Sequence, residues 1–162
     1  MVNEYKDMVY SLCFRIIKSA HLAEEAAQDT FVKAYKKLST FEERSSLKTW
    51  LYRIAYRTAL DYARKKRKEI HLDDGMSVQS NAQSALSIIE EKELTQMVNK
   101  SVARLGVDEC TVVTLYYLQE MSIKEIAEIT NWTQSNIKIK LFRARNNLRS
   151  MLEGNRKKLQ KS

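Results

Sequence analysis

The chain has 162 residues, 44% of them hydrophobic and 30% charged, and a formal net charge of +8. That profile is globular and excludes wholesale disorder, while the absence of any apolar run near the roughly 18 residues of a membrane span excludes insertion. The start, MVNEYKDMVY, lacks the basic and apolar stretches of a secretory signal, so cytoplasmic residence is the expectation. Cys13 and Cys110 lie far apart in apolar helical contexts and read as small buried hydrophobes of a reducing compartment. His21 and His71 are isolated, so no metal is expected, and no paired acid and base, nucleophile or phosphate loop points to an enzyme, a cofactor or a small-molecule substrate.

The charge is uneven along the chain. Residues 1 to 70 carry 15 basic and 9 acidic side chains, residues 71 to 95 carry 1 and 5, and residues 96 to 162 carry 12 and 6. Two basic bodies therefore flank an acidic connector, a layout suited to a polyanion touched at two places.

Proline is absent, glycine occurs three times, and apolar residues recur at helical spacing almost throughout, so the expected fold is all-α. Tyr5, Val9, Leu12 and Ile16 form a first stripe; Ala23, Ala27, Phe31, Ala34 and Leu38 form a second, after a break near residues 19 to 21. STFEERSS (39 to 46) is a polar interruption. A third helix starts near Leu47 and runs to the basic block RKKRK, with Leu47, Leu51, Ile54, Thr58 and Tyr62 on one face and Tyr52, Tyr56 and Ala63 on another. Two apolar faces require two sets of neighbours.

HLDDGMSVQSNAQ (71 to 83) has the composition of a flexible linker and divides two small helical domains, 1 to 70 and 84 to 155, with a basic tail at 156 to 162. Periodicity resumes through Leu86, Ile89, Leu94, Val98, Val102 and Leu105, stops at Gly106, and restarts in DECTVVTLYYLQE with Asp108 as the expected N-cap. In the segment SIKEIAEITNWTQSNIKIKLFRARNNLR (122 to 149), Ser122 and Glu125 have the spacing of a capping box. Asn131 tolerates the left-handed backbone of a tight turn, and Thr133 can cap the helix that follows. Four helices are expected in this second body, the last two forming a helix-turn-helix.

Each helical residue advances about 100° around the axis. With Leu141 at the core, Ile137, Ala144 and Leu148 fall beside it, whereas Ile139, Arg143 and Asn146 fall on the far side. Ser135, Asn136 and Phe142 flank them, and Lys138 borders the same surface. Apolar groups among hydrogen-bonding ones suit base edges, where Ile or Phe touches a thymine methyl and Arg grips guanine. The competing reading packs Ile139 and Phe142 against another helix of this chain.

Residues 23 to 68, with A-E-x-x-x-Q-x-T-F and W-L-Y-R-I-A, resemble the second domain of sigma-70 family transcription initiation factors of the extracytoplasmic-function (ECF) group, and residues 122 to 149, with R-A-R, resemble that group's fourth domain. The resemblance implies a non-enzymatic, stress-responsive specificity subunit that directs core RNA polymerase to promoter DNA. It implies a -35 reading face of Ser135, Asn136, Lys138, Ile139, Phe142 and Arg143, with Lys140 and Arg149 on phosphate. For the -10 element and strand melting it implies Phe41, Lys48, Trp50, Tyr52, Arg53, Tyr56, Arg57 and Arg64, and for polymerase docking Glu24, Gln28, Asp29 and Phe31. Trp50 and Phe31 can equally be core residues, and the cluster from Arg64 to Lys68 can equally complement its helix C-terminus. The group is commonly held by an anti-sigma factor, the further partner implied.

This sequence departs from the family pattern at Arg57, where Asn is usual, at Asn131, where Gly is usual, and at RLGVDE (104 to 109), which replaces a common Leu-Pro; few residues precede Tyr5. The alternative function is a stand-alone helix-turn-helix regulator acting without polymerase, for which no dimerisation heptad is evident.

Overall fold

The computed structural model describes residues 1–72 and 93–161, and every described regular element is helical. The expected linker from 73 onward, and the stripe positions Leu86 and Ile89, lie outside the described residues. Helices α1 (Val2–Ile17), α2 (Ala20–Lys37) and α3 (Leu47–Leu72) pack on one another. Lys18 ends α1 in the left-handed region, at φ 60°, and the Ser19 hydroxyl accepts from the Leu22 N–H to start α2. Val9, Leu12, Ile16, Ala23, Ala27 and Ala34 are buried as their spacing requires. Leu38 is not: α2 ends before it, and it sits 43% exposed in a short 3-10 turn, Leu38–Thr40.

The second body comprises α4 (Glu93–Ala103), α5 (Val107–Val113), a π-helical turn (Thr114–Leu118), α6 (Ile123–Thr130) and α7 (Gln134–Gln160). Asp108 is not the cap of α5. Gly106 occupies the N-cap position without a side-chain bond, and Asp108 lies in the first turn, where a carboxylate suits the helix dipole. In α6 the capping box is complete: Glu125 N–H donates to the Ser122 hydroxyl at 3.1 Å, and Ser122 N–H donates to the Glu125 carboxylate at 2.8 Å. Asn131 turns the chain at φ 65°, and the Thr133 hydroxyl caps α7 by accepting from Asn136 N–H at 3.1 Å. Arg156, Lys157 and Lys158 continue α7 rather than forming a separate extension.

The two bodies pack directly on each other, α3 against α6 and α1 against α5. Leu51, Tyr52, Ala55, Tyr56 and Ala59 are all buried, so both apolar faces of α3 find neighbours, one inside its own body and one from the other. At the α1 side, Lys18 Nζ donates to Leu105 O at 2.8 Å and the Cys110 thiol donates to Arg15 O at 3.4 Å.

Candidate nucleic-acid interface

Helix α7 sorts its side chains by angle. Ile137, Leu141 and Ala144 are 0–1% exposed, and Leu148 packs partly against the same core. Burying three such side chains fixes the helix about its axis, and the opposite face is thereby presented outward. Ile139 is 50% and Phe142 64% exposed, with Ser135, Asn136, Lys138 and Arg143 exposed around them. Such large apolar groups held in water are a cost unless a partner covers them. All six are exposed on α7, with Ile139, Phe142, Arg143, Ser135 and Asn136 away from the buried seam and Lys138 nearer its edge, while Arg149 lies exposed farther along the helix.

Lys140 stands apart from that group. Its Nζ donates to the Asp108 carboxylate at 2.7 Å and lies 4.6 Å from the centroid of the Trp132 ring, and its side chain is only 18% exposed. Sequence spacing shows where Lys140 points but not that an acid 32 residues earlier would meet it.

On α3 the expected -10 and melting residues divide into two sets. Arg57 and Arg64 are exposed, and Phe41, half-buried, has its ring 4.9 Å from that of the half-buried Trp50. The other set faces the second body. Lys48 Nζ donates to Gln119 O at 3.2 Å, Tyr52 OH to Gln119 Oε1 at 2.9 Å, and Arg53 Nε to Glu128 O at 2.9 Å. The Tyr56 ring meets Trp132 edge-on at 6.0 Å. Tyr52 and Tyr56 are 1% and 5% exposed. Burial, with a smaller contribution from the Asp108 carboxylate, pushes the Tyr56 phenol up to about 12 against an opposing effect of Arg64; burial raises Tyr52 as well. Both phenols are neutral at physiological pH, and that of Tyr52 is a donor.

Open clefts flank the α3–α6 contact. One, of about 500 Å³, is lined by Arg53, Arg57, Lys124, Glu128, Asn131 and Gln134; another, also about 500 Å³, includes Arg57, Arg64, Arg67, Asp108 and Trp132. Their basic lining can take phosphate, which orients a nucleic acid without specifying its sequence.

On α2, Glu24 and Gln28 are exposed, Asp29 is half-exposed and joined to Lys33 at 3.3 Å, and Phe31 packs partly against the core. Sequence reasoning missed Val32 and Tyr35, which are 51% and 78% exposed beside them. The available signal was their position off the buried Ala23–Ala27–Ala34 stripe. Also missed were Gln119, Glu128 and Trp132, the partners of α3; the need of its second face for neighbours was the only hint.

Among the described residues no cluster of His, Cys, Asp and Glu could hold a metal ion, and no helix is long and apolar enough to cross a membrane. The exposed face of α7 offers hydrogen-bonding and apolar groups of the kind a nucleic-acid-binding surface uses.

Comparison with known proteins agrees with that class. Residues 1–69 match the family described as Sigma-70 region 2, and residues 95–148 match Sigma-70, region 4. The chain is 33% identical to the ECF RNA polymerase sigma factor SigW of Bacillus subtilis, across 94% of this chain and 87% of that protein. It is 31% identical to SigM of the same organism, across 91% and 90%. Among solved structures, the sigma factor RpoE bound to the anti-sigma factor NepR from Bartonella quintana superposes with a TM-score of 0.81 at 26% identity, covering 94% of each chain. CnrH in complex with the cytosolic domain of CnrY shares the fold, at TM-score 0.66 and 19% identity.

The chain belongs to the ECF group of sigma-70 RNA polymerase sigma factors. It is therefore not an enzyme: it binds core RNA polymerase and promoter DNA and directs promoter-specific initiation. A stand-alone regulator is not favoured, because both matched regions and the full-length relatives are those of sigma factors.

Proposed function

We propose that the outer face of α7 reads the -35 element as duplex, Arg143 and Asn136 through hydrogen bonds to base edges and Ile139 and Phe142 through apolar contact with thymine methyl groups. Ser135 and Lys138 complete the face, and Lys140 and Arg149 hold phosphate. The observation that carries this reading is the exposure of Ile139 and Phe142 opposite a sealed Ile137–Leu141–Ala144 seam. On the same proposal Phe41, Lys48, Trp50, Tyr52, Arg53, Tyr56, Arg57 and Arg64 serve the -10 element, where an unstacked base needs aromatic and cationic partners. The α2 surface of Glu24, Gln28 and Asp29, with Val32 and Tyr35 beside it, docks on polymerase; Phe31 supports that surface from beneath. The domain limits, 1–70 and 84–155, follow the same division of labour. We place the chain in the cytoplasm, where polymerase is, and assign it an anti-sigma factor as regulator, as the likeness to an anti-sigma-bound relative supports.

Run-off transcription with core polymerase tests this function. Promoter-dependent transcripts that appear only when the chain is added, and that fall when either element is scrambled, are the expected result. Tight sequence-specific duplex binding by the chain alone, with no effect on polymerase, would instead make it a stand-alone regulator.

A further inference from the structure

We infer that Asp108 and Glu109 are positioning residues for -35 recognition: standing off the reading face, they hold α7 at two points and so aim Arg143 at its base. This rests on the reading of the -35 element by α7 proposed above. The contacts are polar and specific. Lys140 Nζ donates to the Asp108 carboxylate at 2.7 Å, and Asn147 Nδ2 donates to both oxygens of the Glu109 carboxylate, at 3.1 and 2.9 Å. Lys140 and Asn147 are two turns apart, so they share one flank of α7 at points about 10 Å apart along its axis. Arg143 lies between them, three residues after Lys140 and four before Asn147, the spacings at which helical side chains are neighbours.

The buried seam alone does not set this aim. Burial of Ile137, Leu141 and Ala144 decides which face of α7 turns outward, but apolar attraction is non-directional and tolerates small rolls and pivots. A hydrogen bond weakens steeply with angle, so it fixes an orientation that packing leaves loose. One such contact lets a helix pivot about it; two, set two turns apart, do not. Their base is firm, because the next four residues of α5, Cys110, Thr111, Val112 and Val113, are buried. Trp132 completes the hold on Lys140, its ring centroid 4.6 Å from Nζ. An ammonium has three donors, so Lys140 can keep Asp108 and still meet a phosphate. Arg143 forms no ion pair among the described residues, so its aim comes from the backbone that carries it.

Discrimination depends on that aim more than general affinity does. An arginine that grips guanine needs two N–H groups in line with two acceptors, whereas phosphate contacts supply affinity whatever the sequence. The two carboxylates oppose general affinity, since each is a negative charge near a polyanion. As positioning groups they raise discrimination through their acceptor atoms; as charges they act on every duplex alike.

The test uses holoenzyme assembled from core polymerase and the full chain. It reads affinity for a promoter located by run-off mapping and for the same promoter with its -35 element scrambled, and the ratio of the two is the discrimination. Asp108→Ala combined with Glu109→Ala removes both acceptors; Asp108→Asn combined with Glu109→Gln removes both charges and keeps both acceptors. The alanine pair is expected to lose about fivefold in discrimination, the lower end of what one bidentate base contact supplies, and the amide pair to stay within about twofold of wild type. Unchanged discrimination in the alanine pair, or an equal loss in both pairs, would reduce the carboxylates to a charge effect and overturn the proposal. Asn147→Ala deletes one of the two contacts from the α7 side, and its discrimination is expected to fall in the same sense. That variant decides if circular dichroism shows that the alanine pair has lost its helices, and unchanged discrimination there overturns the proposal. Arg143→Ala, run in parallel, reports on the -35 reading itself. A loss there with none in the alanine pair refutes the positioning alone, whereas no loss in either refutes the reading and the positioning with it.

Discussion

Helices α3 and α7 pose the same problem and resolve it differently. Each is long, each carries apolar or aromatic side chains on more than one face, and each is basic. In α7 the second face stays in water, with Phe142 64% exposed; in α3 it is covered, with Tyr52 1% exposed beneath Gln119. An apolar outlier on a helix therefore signals a partner without saying whether that partner is another molecule or another part of the same chain. Polar company separates the two cases. Ile139 and Phe142 sit among exposed polar side chains with no side-chain partner among the described residues, whereas the Tyr52 hydroxyl and Arg53 guanidinium have protein acceptors within 2.9 Å.

The comparison can be broken first at the seam that orients α7. Leu141→Ala leaves a cavity in the second body and should lower unfolding stability by about 2–5 kcal/mol in chemical denaturation; a loss under 1 kcal/mol would mean the helix is not held by that face. Next comes the reading face itself. Arg143→Ala should reduce discrimination between matched and mismatched -35 duplexes by about 1–3 kcal/mol, whereas Lys140→Ala should weaken both about evenly and flatten the salt dependence. Because Lys140 is already engaged by Asp108, that second effect should be the smaller one. Equal losses on both duplexes for both variants would end the division into reader and anchor.

A subtler contrast lies between Tyr52 and Ile139. Tyr52→Phe deletes the part-buried bond to Gln119, which should cost about 0.5–1.5 kcal/mol of stability. Ile139→Ala should change stability by less than about 0.5 kcal/mol while weakening -35 binding, as expected of an exposed residue kept for a ligand. The order reversed in thermal melts would contradict the assignment of covered and open faces. Smallest is the alkaline response of Tyr56. Its phenol titrates at about 12 when folded and near 10 when unfolded, so the stabilisation is complete below about pH 10 and is lost as pH rises toward 12. Phenolate absorbance on alkaline titration should show this tyrosine ionising late, and Tyr56→Phe should remove the late component.

Much of the fold was legible because helical spacing and capping are local. Ser122 with Glu125, Asn131 and Thr133 set the helix-turn-helix within a dozen residues, and the seam of α7 followed from 100° steps alone. Asp108 shows the limit of local reasoning: a good capping residue was displaced to the first turn by Gly106, and its carboxylate was taken by Lys140 from across the body. The π-helical turn left no pattern in TLYYL, since its extra residue is stabilised by tertiary packing rather than by propensity. For the site, the residue types on α7 were readable because they point outward. The covering of α3 was not, because it depends on contacts between residues more than 60 positions apart, as between Tyr52 and Gln119 or Arg53 and Glu128.

The central claim is that two faces of one chain touch two different stretches of a single promoter. Site-specific photocrosslinking in the polymerase complex tests it most directly, with the crosslinker placed at position 139 of α7 and, separately, at position 57 of α3. The account predicts crosslinks from 139 to the -35 duplex and from 57 to the -10 region. Both positions reaching the same stretch of DNA, or position 139 reaching only protein, would contradict it.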